Sequence, residues 1–277
     1  MTSKQFRHTI VAASVVVAVV ILLFSMGLIP SVHFGSKGAG QSRSRTLAVA
    51  AAADLETSMD EIVTEFQRQH PDIDVQITIG SSGNFYAQLV NHAPFDVFLS
   101  ADTDYPSRLI EQELAPAESK FTYAVGHAVL WVPLASRVDA TTVSAATFVD
   151  GAVRKIAIAN PRYAPYGRAA EAALRNLGVY EKVRDKIVYG DNVAQTAQFI
   201  QSGAADIGII SKSQALGLGD SGRFWEIPRK DYPRIDQGGV VLSWARDQAA
   251  AQSFRAFMIG KEGQALLRRH GFSPPEE

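Results

Sequence analysis

From Thr46 onward, short apolar runs alternate with stretches whose apolar residues recur at helical spacing, and this rhythm confines the chain to an α/β fold. TLAVAAA (46–52) reads as a first strand. Met59, Ile62, Val63 and Phe66 then stand at i, i+3, i+4 and i+7, one apolar stripe of a helix that Pro71 closes. IDVQITIG follows as a strand, NFYAQLVNH as a helix and FDVFLS as a strand, then a helix over 105–113 and a strand pair over 122–133. A second series repeats the pattern. KIAIA and KIVYG flank a helix over 167–177 that Gly178 stops, ADIGII follows a helix over 193–202, and GGVVLSWA precedes two helices ending near His270. No repeat of 20–50 residues is present, which excludes a solenoid. Two α/β units predict a small-ligand cleft between them, at the carboxyl ends of their strands.

The 277 residues are sufficient for two cores of this kind, and 47% hydrophobic with 20% charged residues is ordinary globular composition. Residues 1–45 hold five of the 27 basic residues and no acid, which leaves 22 basic against 28 acidic residues, or about −6, for the remainder. That charge gives no reason to expect nucleic acid as a partner. Cysteine is absent, so disulfides, thiolate catalysis, Cys-ligated zinc and an acylated lipoprotein cysteine are excluded together. Lys4 and Arg7 precede an uncharged run from Ile10 to Ile29, followed by Pro30 and a Gly/Ser-rich stretch. Residues 1–30 are expected to be an export signal, cleaved as a signal peptide or kept as a membrane anchor through residues 10–29, because about 20 apolar residues span a bilayer. Residues 31–45 are expected to form a flexible linker. The remainder then lies outside the cytoplasm, periplasmic or extracytoplasmic, either free or tethered to the inner membrane.

Four strand-to-helix junctions run through small or neutral residues: Ala53-Asp54, Gly80-Ser81-Ser82-Gly83-Asn84, 160–167 (NPRYAPYG) and Gly190-Asp191-Asn192-Val193. A helix start presents unpaired N–H groups and the positive end of the helix dipole, so it attracts anions. Ser82 adds a hydroxyl and Tyr166 a phenol. A hydrogen bond to a charged partner contributes about 1.5–3 kcal/mol, and nanomolar affinity needs about 12 kcal/mol. Six or seven neutral donors therefore suffice without a cation. A site without an acceptor also selects a fully ionised anion. Arg162 and Arg168 are expected to be solvated surface residues.

Rival chemistry finds less support. A hydrolase with Ser82 as nucleophile and His92 or His127 as base lacks a G-x-S-x-G elbow. The six histidines are scattered and no H-E-x-x-H occurs, so no cation site is expected. Asp96 and Asp102 bracket a strand and are expected to bond the hinge or cap the next helix. Trp131, Trp225 and Trp244 read as core or interlobe residues rather than as the walls of a sugar or amino-acid cleft.

The segments AAADL, GSSGNFYAQLVNHAPFDVFLSAD, FTYAVGHAVLW, IANPRYAPYGRAA and GDNVAQTAQFIQSGAADIGII closely resemble the periplasmic molybdate-binding proteins of ABC import systems, in order from about Thr46 to Phe272. The resemblance implies the bilobal type 2 periplasmic-binding fold, with lobe I over 46–124 and 237–277 and lobe II over 125–236, joined by two or three crossings. It implies a binding protein, not an enzyme, that needs no cofactor. Its ligand would be molybdate, or tungstate, delivered to an ABC permease and its ATPase subunit by a monomer. Carried over, the site residues are Ala53, Asp54, Ser82, Tyr166 and Val193, which hydrogen-bond the anion's oxygens. Another oxyanion such as phosphate or sulfate, and a membrane-tethered oxyanion sensor, are the alternatives.

The first junction departs from the family, which commonly has a Ser, Thr or Asn pair there. Ala53 has no hydroxyl, and a carboxylate repels a dianion. Asp54 is expected to turn its side chain onto the N–H groups of its own helix as an N-cap. The alternative is that it accepts a proton from the ligand.

Overall fold

Each apolar run of the first series forms a strand, and each amphipathic stretch forms a helix that returns the chain to the same sheet. In the computed structural model, which describes residues 45–138 and 143–275, the first series is β1 (Arg45–Ala52), α1 (Glu56–Gln69), β2 (Ile73–Gly80), α2 (Ser82–Leu89), β3 (Val97–Ser100), α3 (Asp104–Glu111) and β4 (Phe121–Gly126). The second is β5 (Ala128–Pro133), α4 (Ala145–Val149), β6 (Ile156–Ala159), α5 (Pro165–Asn176), α6 (Tyr180–Val183), β7 (Ile187–Gly190), α7 (Val193–Gln201), β8 (Ile207–Ser211), α8 (Lys212–Gly217) and β9 (Gly222–Glu226). The chain then adds β10 (Ile235–Val241), α9 (Gln248–Ile259) and α10 (Lys261–Arg269). The proposed export segment and almost all of the linker lie outside the described residues. No helix among the described residues is long and apolar enough to cross a membrane.

Two five-stranded sheets result, ordered β2-β1-β3-β10-β4 and β7-β6-β8-β5-β9. In each, three consecutive strands pair in parallel, β1 with β2 and β3, β6 with β7 and β8. One strand that arrives from the other lobe's side runs antiparallel beside them, β10 in the first sheet and β5 in the second. The fold is bilobal α/β. The expected strand pair over 122–133 does not pair: β4 bonds β10, whereas β5 bonds β8 and β9 in the other sheet. Only His127 separates them, so this is a crossing rather than a hairpin. The other crossing is the segment between β9 and β10.

Side-chain alternation builds the core on both faces of the first sheet. Leu47, Val49 and Ala51 of β1, with Val97 and Leu99 of β3, pack with α1 and α9 through Phe66 and Phe254. Ala50, Phe98 and Val240 face the opposite layer with Phe85, Leu89 and Leu109 of α2 and α3. Burial on both faces is why these strands are almost continuously apolar. Gly178 stops the turn after α5 at φ 69°, a conformation that glycine adopts without a Cβ clash.

Candidate functional site

The carboxyl ends of β1, β2, β6 and β7 bring the chain segments that follow them together between the two sheets, with Ala101 after β3 beside them. Ala52, Ala53 and Ala101 of the first lobe pack in one buried cluster with Tyr166, Val193 and Ala164 of the second. Among them is a cavity of about 10 Å³ lined by Ala53, Asp54, Ser81, Ser82, Tyr166 and Val193, together with Ala52, Ala101, Ala164, Pro165 and Asn192. Such a volume is about one water-sized sphere of spare room. All five expected residues meet here, each at most 3% exposed. Larger grooves exist on the surface: one of about 730 Å³ lined by Pro133, Arg137, Arg154 and Asp206 belongs to one lobe, and one of about 310 Å³ beside Asp102 and Arg168 is lined from both.

Each donor is set by its own local structure. Ala53 and Asp54 occupy a 3-10 turn, Ala53–Leu55, between β1 and α1. Ser82 opens α2 behind the cap Ser81, and its Oγ accepts the Ala101 N–H at 3.0 Å. That contact uses a lone pair of Ser82 and leaves its proton to donate elsewhere. Val193 is the first residue of α7, where Asn192 Oδ1 takes the Gln195 N–H at 2.9 Å. The N–H groups of that first turn have no acceptor within the helix. Pro165 pre-sets the start of α5, and Tyr166 follows it.

Asp54 does not cap its helix. Neither the 3-10 turn nor α1 has a side-chain cap, and the carboxylate instead accepts Gln237 Nε2 at Oδ2, 2.6 Å away. The same Nε2 lies 3.5 Å from the Tyr166 hydroxyl, while the Tyr123 hydroxyl sits 2.9 Å from Gln237 Oε1 and 3.0 Å from the Ser100 carbonyl oxygen. Asp54 Oδ1 is buried without a hydrogen-bond partner. Burial raises its pKa to about 6, against the opposing pull of hydrogen bonds from Gln237 and Tyr166 and of its own backbone. Tyr166 is pushed well above its ordinary value, first by burial and then by the Asp54 charge, so it stays a neutral O–H. A Cβ at Gly126 would collide with the Tyr166 hydroxyl and lie 2.7 Å from Gln237 Nε2, so this polar layer needs a glycine at the end of β4.

The lobes are held against each other around the cavity. Gln214 Nε2 donates to the Ala53 carbonyl oxygen at 2.8 Å and Ser213 Oγ to that of Asp54 at 2.6 Å, both from the start of α8. Gly83 N–H donates to the Tyr163 carbonyl oxygen at 2.8 Å. Arg168, expected on the solvated surface, is ion-paired with Asp102 of the opposite lobe; Asp102 also accepts the Tyr105 N–H at 3.1 Å at the start of α3. Arg162 and Arg168 are both exposed, as expected. Asp96 ties β1 to the segment after β10, accepting the Ala48 N–H at 2.7 Å and pairing with Arg246 at 2.8 Å.

The residues of the rival chemistries fall elsewhere. His92 stacks on Trp244 with ring centroids 4.7 Å apart, and His127 Nε2 lies 2.8 Å from Ser273 Oγ; neither lines the cavity with Ser82. Trp131 is buried in β5, Trp225 is in β9, and no tryptophan reaches the cavity. Among the described residues no group of three His, Asp or Glu is arranged to hold a metal ion.

The family described as bacterial extracellular solute-binding protein matches residues 47–273. The molybdate-binding protein ModA of Azotobacter vinelandii is 36% identical over 228 residues, 81% of this chain and 88% of that protein. ModA of Rhodobacter capsulatus is 37% identical over 198 residues, 72% of this chain and 77% of that protein. The solved periplasmic molybdate-binding protein of Azotobacter vinelandii superposes with a TM-score of 0.76 at 33% identity, covering 83% of this chain and all of that one. The chain belongs to the molybdate-binding family of bacterial extracellular solute-binding proteins. Members of this family are binding proteins, not enzymes, and what they hold is cargo rather than a cofactor.

Sequence reading missed Gln237, Tyr123, Ser213 and Gln214, the residues that brace the first junction from behind and from across the cleft. One signal for Gln237 was available: a Gln inside an apolar strand, followed by Gly238 and Gly239. The pairing of β10 with β4 shifts register between Gln237 and Gly238, an irregularity of the kind that re-aims a side chain.

Proposed function

We propose that this protein captures a tetrahedral oxyanion, molybdate first and tungstate alongside it, through neutral donors, and delivers it to an ABC permease powered by an ATPase subunit. The observation that carries this reading is one small cavity, lined from both lobes by Ala53, Asp54, Ser82, Tyr166 and Val193, with no Lys, Arg or His in its wall. Two helix starts and two hydroxyls offer hydrogen bonds there, and exclusion of water strengthens each of them. Lobe I comprises residues 45–126 and 235–275, lobe II 128–226, and the ligand shifts the balance toward the closed arrangement held by Gln214, Ser213 and Gly83. The protein acts as a monomer outside the cytoplasm, released by cleavage after the apolar run 10–29 or anchored by it.

A second reading rests on Asp54. A carboxylate in the wall suits an oxyanion that keeps a proton, as hydrogen phosphate does. A thermal-shift panel of molybdate, tungstate, sulfate, phosphate and chromate at matched concentrations separates the two. Ligand at a hundredfold Kd adds about 2.7 kcal/mol, a rise of about 5–10 °C for a domain of this size. Stabilisation by molybdate and tungstate is expected; stabilisation by phosphate alone would overturn the molybdate reading.

A further inference from the structure

Asp54 is an acidic wall residue in a site built of donors. Its Oδ2 is occupied by Gln237, its Oδ1 has no partner, and the residue is 1% exposed. The groups packed around it offer no positive charge. From α5 it meets Tyr166, with Tyr232 behind; from β10, the neutral Gln237; from β4, Tyr123, which also feels Asp102. From α8, Ser213 and Gln214 reach only backbone carbonyls of the turn, and Gln214 also bonds the Glu56 carboxylate at 3.2 Å. The nearby Arg168 is committed to Asp102. A dianion brought into this cavity would face an ionised carboxylate with water excluded and no cation to separate them.

We propose that Asp54 makes oxyanion capture proton-coupled: the closed site holds the anion together with one proton, shared between the free Asp54 oxygen and an oxygen of the ligand. This rests on the oxyanion reading above. The balance is one carboxylate, one proton from solvent and one dianion, giving a carboxyl group whose O–H donates to the anion; drawn as a protonated anion donating to a carboxylate, the stoichiometry is the same. The proton turns the repelling group into another donor. Asp54 is thereby a specificity-determining residue, since a cavity that must carry one proton accepts either a dianion with protonated Asp54 or a singly protonated anion. Burial raises the pKa of Asp54 to about 6, toward the protonated form, against the opposing hydrogen bonds, and a neighbouring dianion raises it further.

The direction with pH follows from linkage. Above the pKa of the anion-free protein, each pH unit costs a factor of ten in affinity, because the proton has to be drawn from solvent. Isothermal titration of sodium molybdate into the full chain at pH 6 and pH 8, each in two buffers of different ionisation enthalpy, counts the protons directly. The expected result is uptake of about one proton at pH 8 and an affinity about fiftyfold weaker there than at pH 6. Asp54→Asn, which keeps the shape and supplies an N–H donor, should abolish both the uptake and the pH dependence, and should bind about a hundredfold tighter than wild type at pH 8. Molybdate binding with no proton uptake by the wild type at pH 8 would overturn the proposal even if the variant failed to fold, and would leave the oxyanion reading standing. Folded protein that takes up no molybdate at either pH would overturn both.

Discussion

Two helix starts border the cavity from opposite lobes, and each carries an Asp or Asn where strand gives way to helix. Asn192 bends back onto its own helix, taking the Gln195 N–H, while Gln195 Oε1 accepts the Asp191 N–H at 2.7 Å in return. This reciprocal arrangement resembles a capping box and leaves the Val193 backbone as the surface offered to the cavity. Asp54 bonds sideways instead, to Gln237 on a strand 183 residues further along the chain. The neutral residue serves the helix; the ionisable one serves the layer behind the site. The pair shows that a polar residue at a helix start is assigned its role by whatever long-range partner reaches it. Without such a partner, the N–H groups of its own helix are the nearest alternative.

Removing that partner is the strongest way to break the contrast. Gln237→Leu takes away the donor to Asp54 Oδ2, its largest hydrogen-bond support, while Oδ1 already lacks a partner. The sign with pH is the reverse of that for an ordinary salt-bridged aspartate. Asp54 has a raised folded pKa, so its contribution favours the fold below the unfolded value and is lost as pH rises through about 6. The variant raises that pKa again. Its stability loss, measured by urea denaturation, should be about 3 kcal/mol at pH 8, where the carboxylate is charged, and smaller at pH 5, where it is protonated. An equal loss at both pH values would mean that Asp54 does not titrate with Gln237 as its support.

The hydroxyls that complete the cavity come next in size. Ser82→Ala and Tyr166→Phe each delete one donor to a charged ligand and should weaken molybdate binding by about 1–3 kcal/mol, roughly ten- to a hundredfold. Tyr166→Phe should also flatten the pH dependence between pH 6 and pH 8, because losing a group that helps to hold Asp54 ionised raises the pKa of the anion-free protein. Affinities unchanged in both variants would place the anion elsewhere.

How much of this could be read from residues alone differs along the chain. The strands and helices of both series were legible because Met59, Ile62 and Phe66, or Leu47, Val49 and Ala51, repeat at helix and strand periods that burial enforces. The junctions that hold the five cavity residues were marked by small residues at strand ends, and the family resemblance picked out those five within them. Pairing was not legible. β4 and β5 read as a strand pair because they adjoin in sequence, and nothing local in their residues assigns them to different sheets. The role of Asp54 was misread for the same reason: an Asp before a helix looks like a cap, and the competing partner Gln237 arrives only with the tertiary fold. Arg168 likewise sits on an exposed helix face in the sequence pattern, and its ion pair with Asp102 exists only because the lobes meet.

The mildest test addresses the other half of the comparison. If Asn192 serves its helix and Val193 serves the ligand, then Asn192→Ala should separate the two. Loss of a side-chain cap costs about 1 kcal/mol, so the variant should unfold at lower denaturant concentration with an unchanged slope. The Val193 N–H belongs to the backbone of α7 and remains in place as long as the helix start does. Molybdate affinity should therefore stay within a few-fold of wild type, about 0.5 kcal/mol or less. An affinity loss as large as that of Ser82→Ala would mean that the Asn192 side chain, which also lines the cavity, is itself a ligand donor. The two helix starts would then be alike in serving the site with their side chains and would differ only in charge.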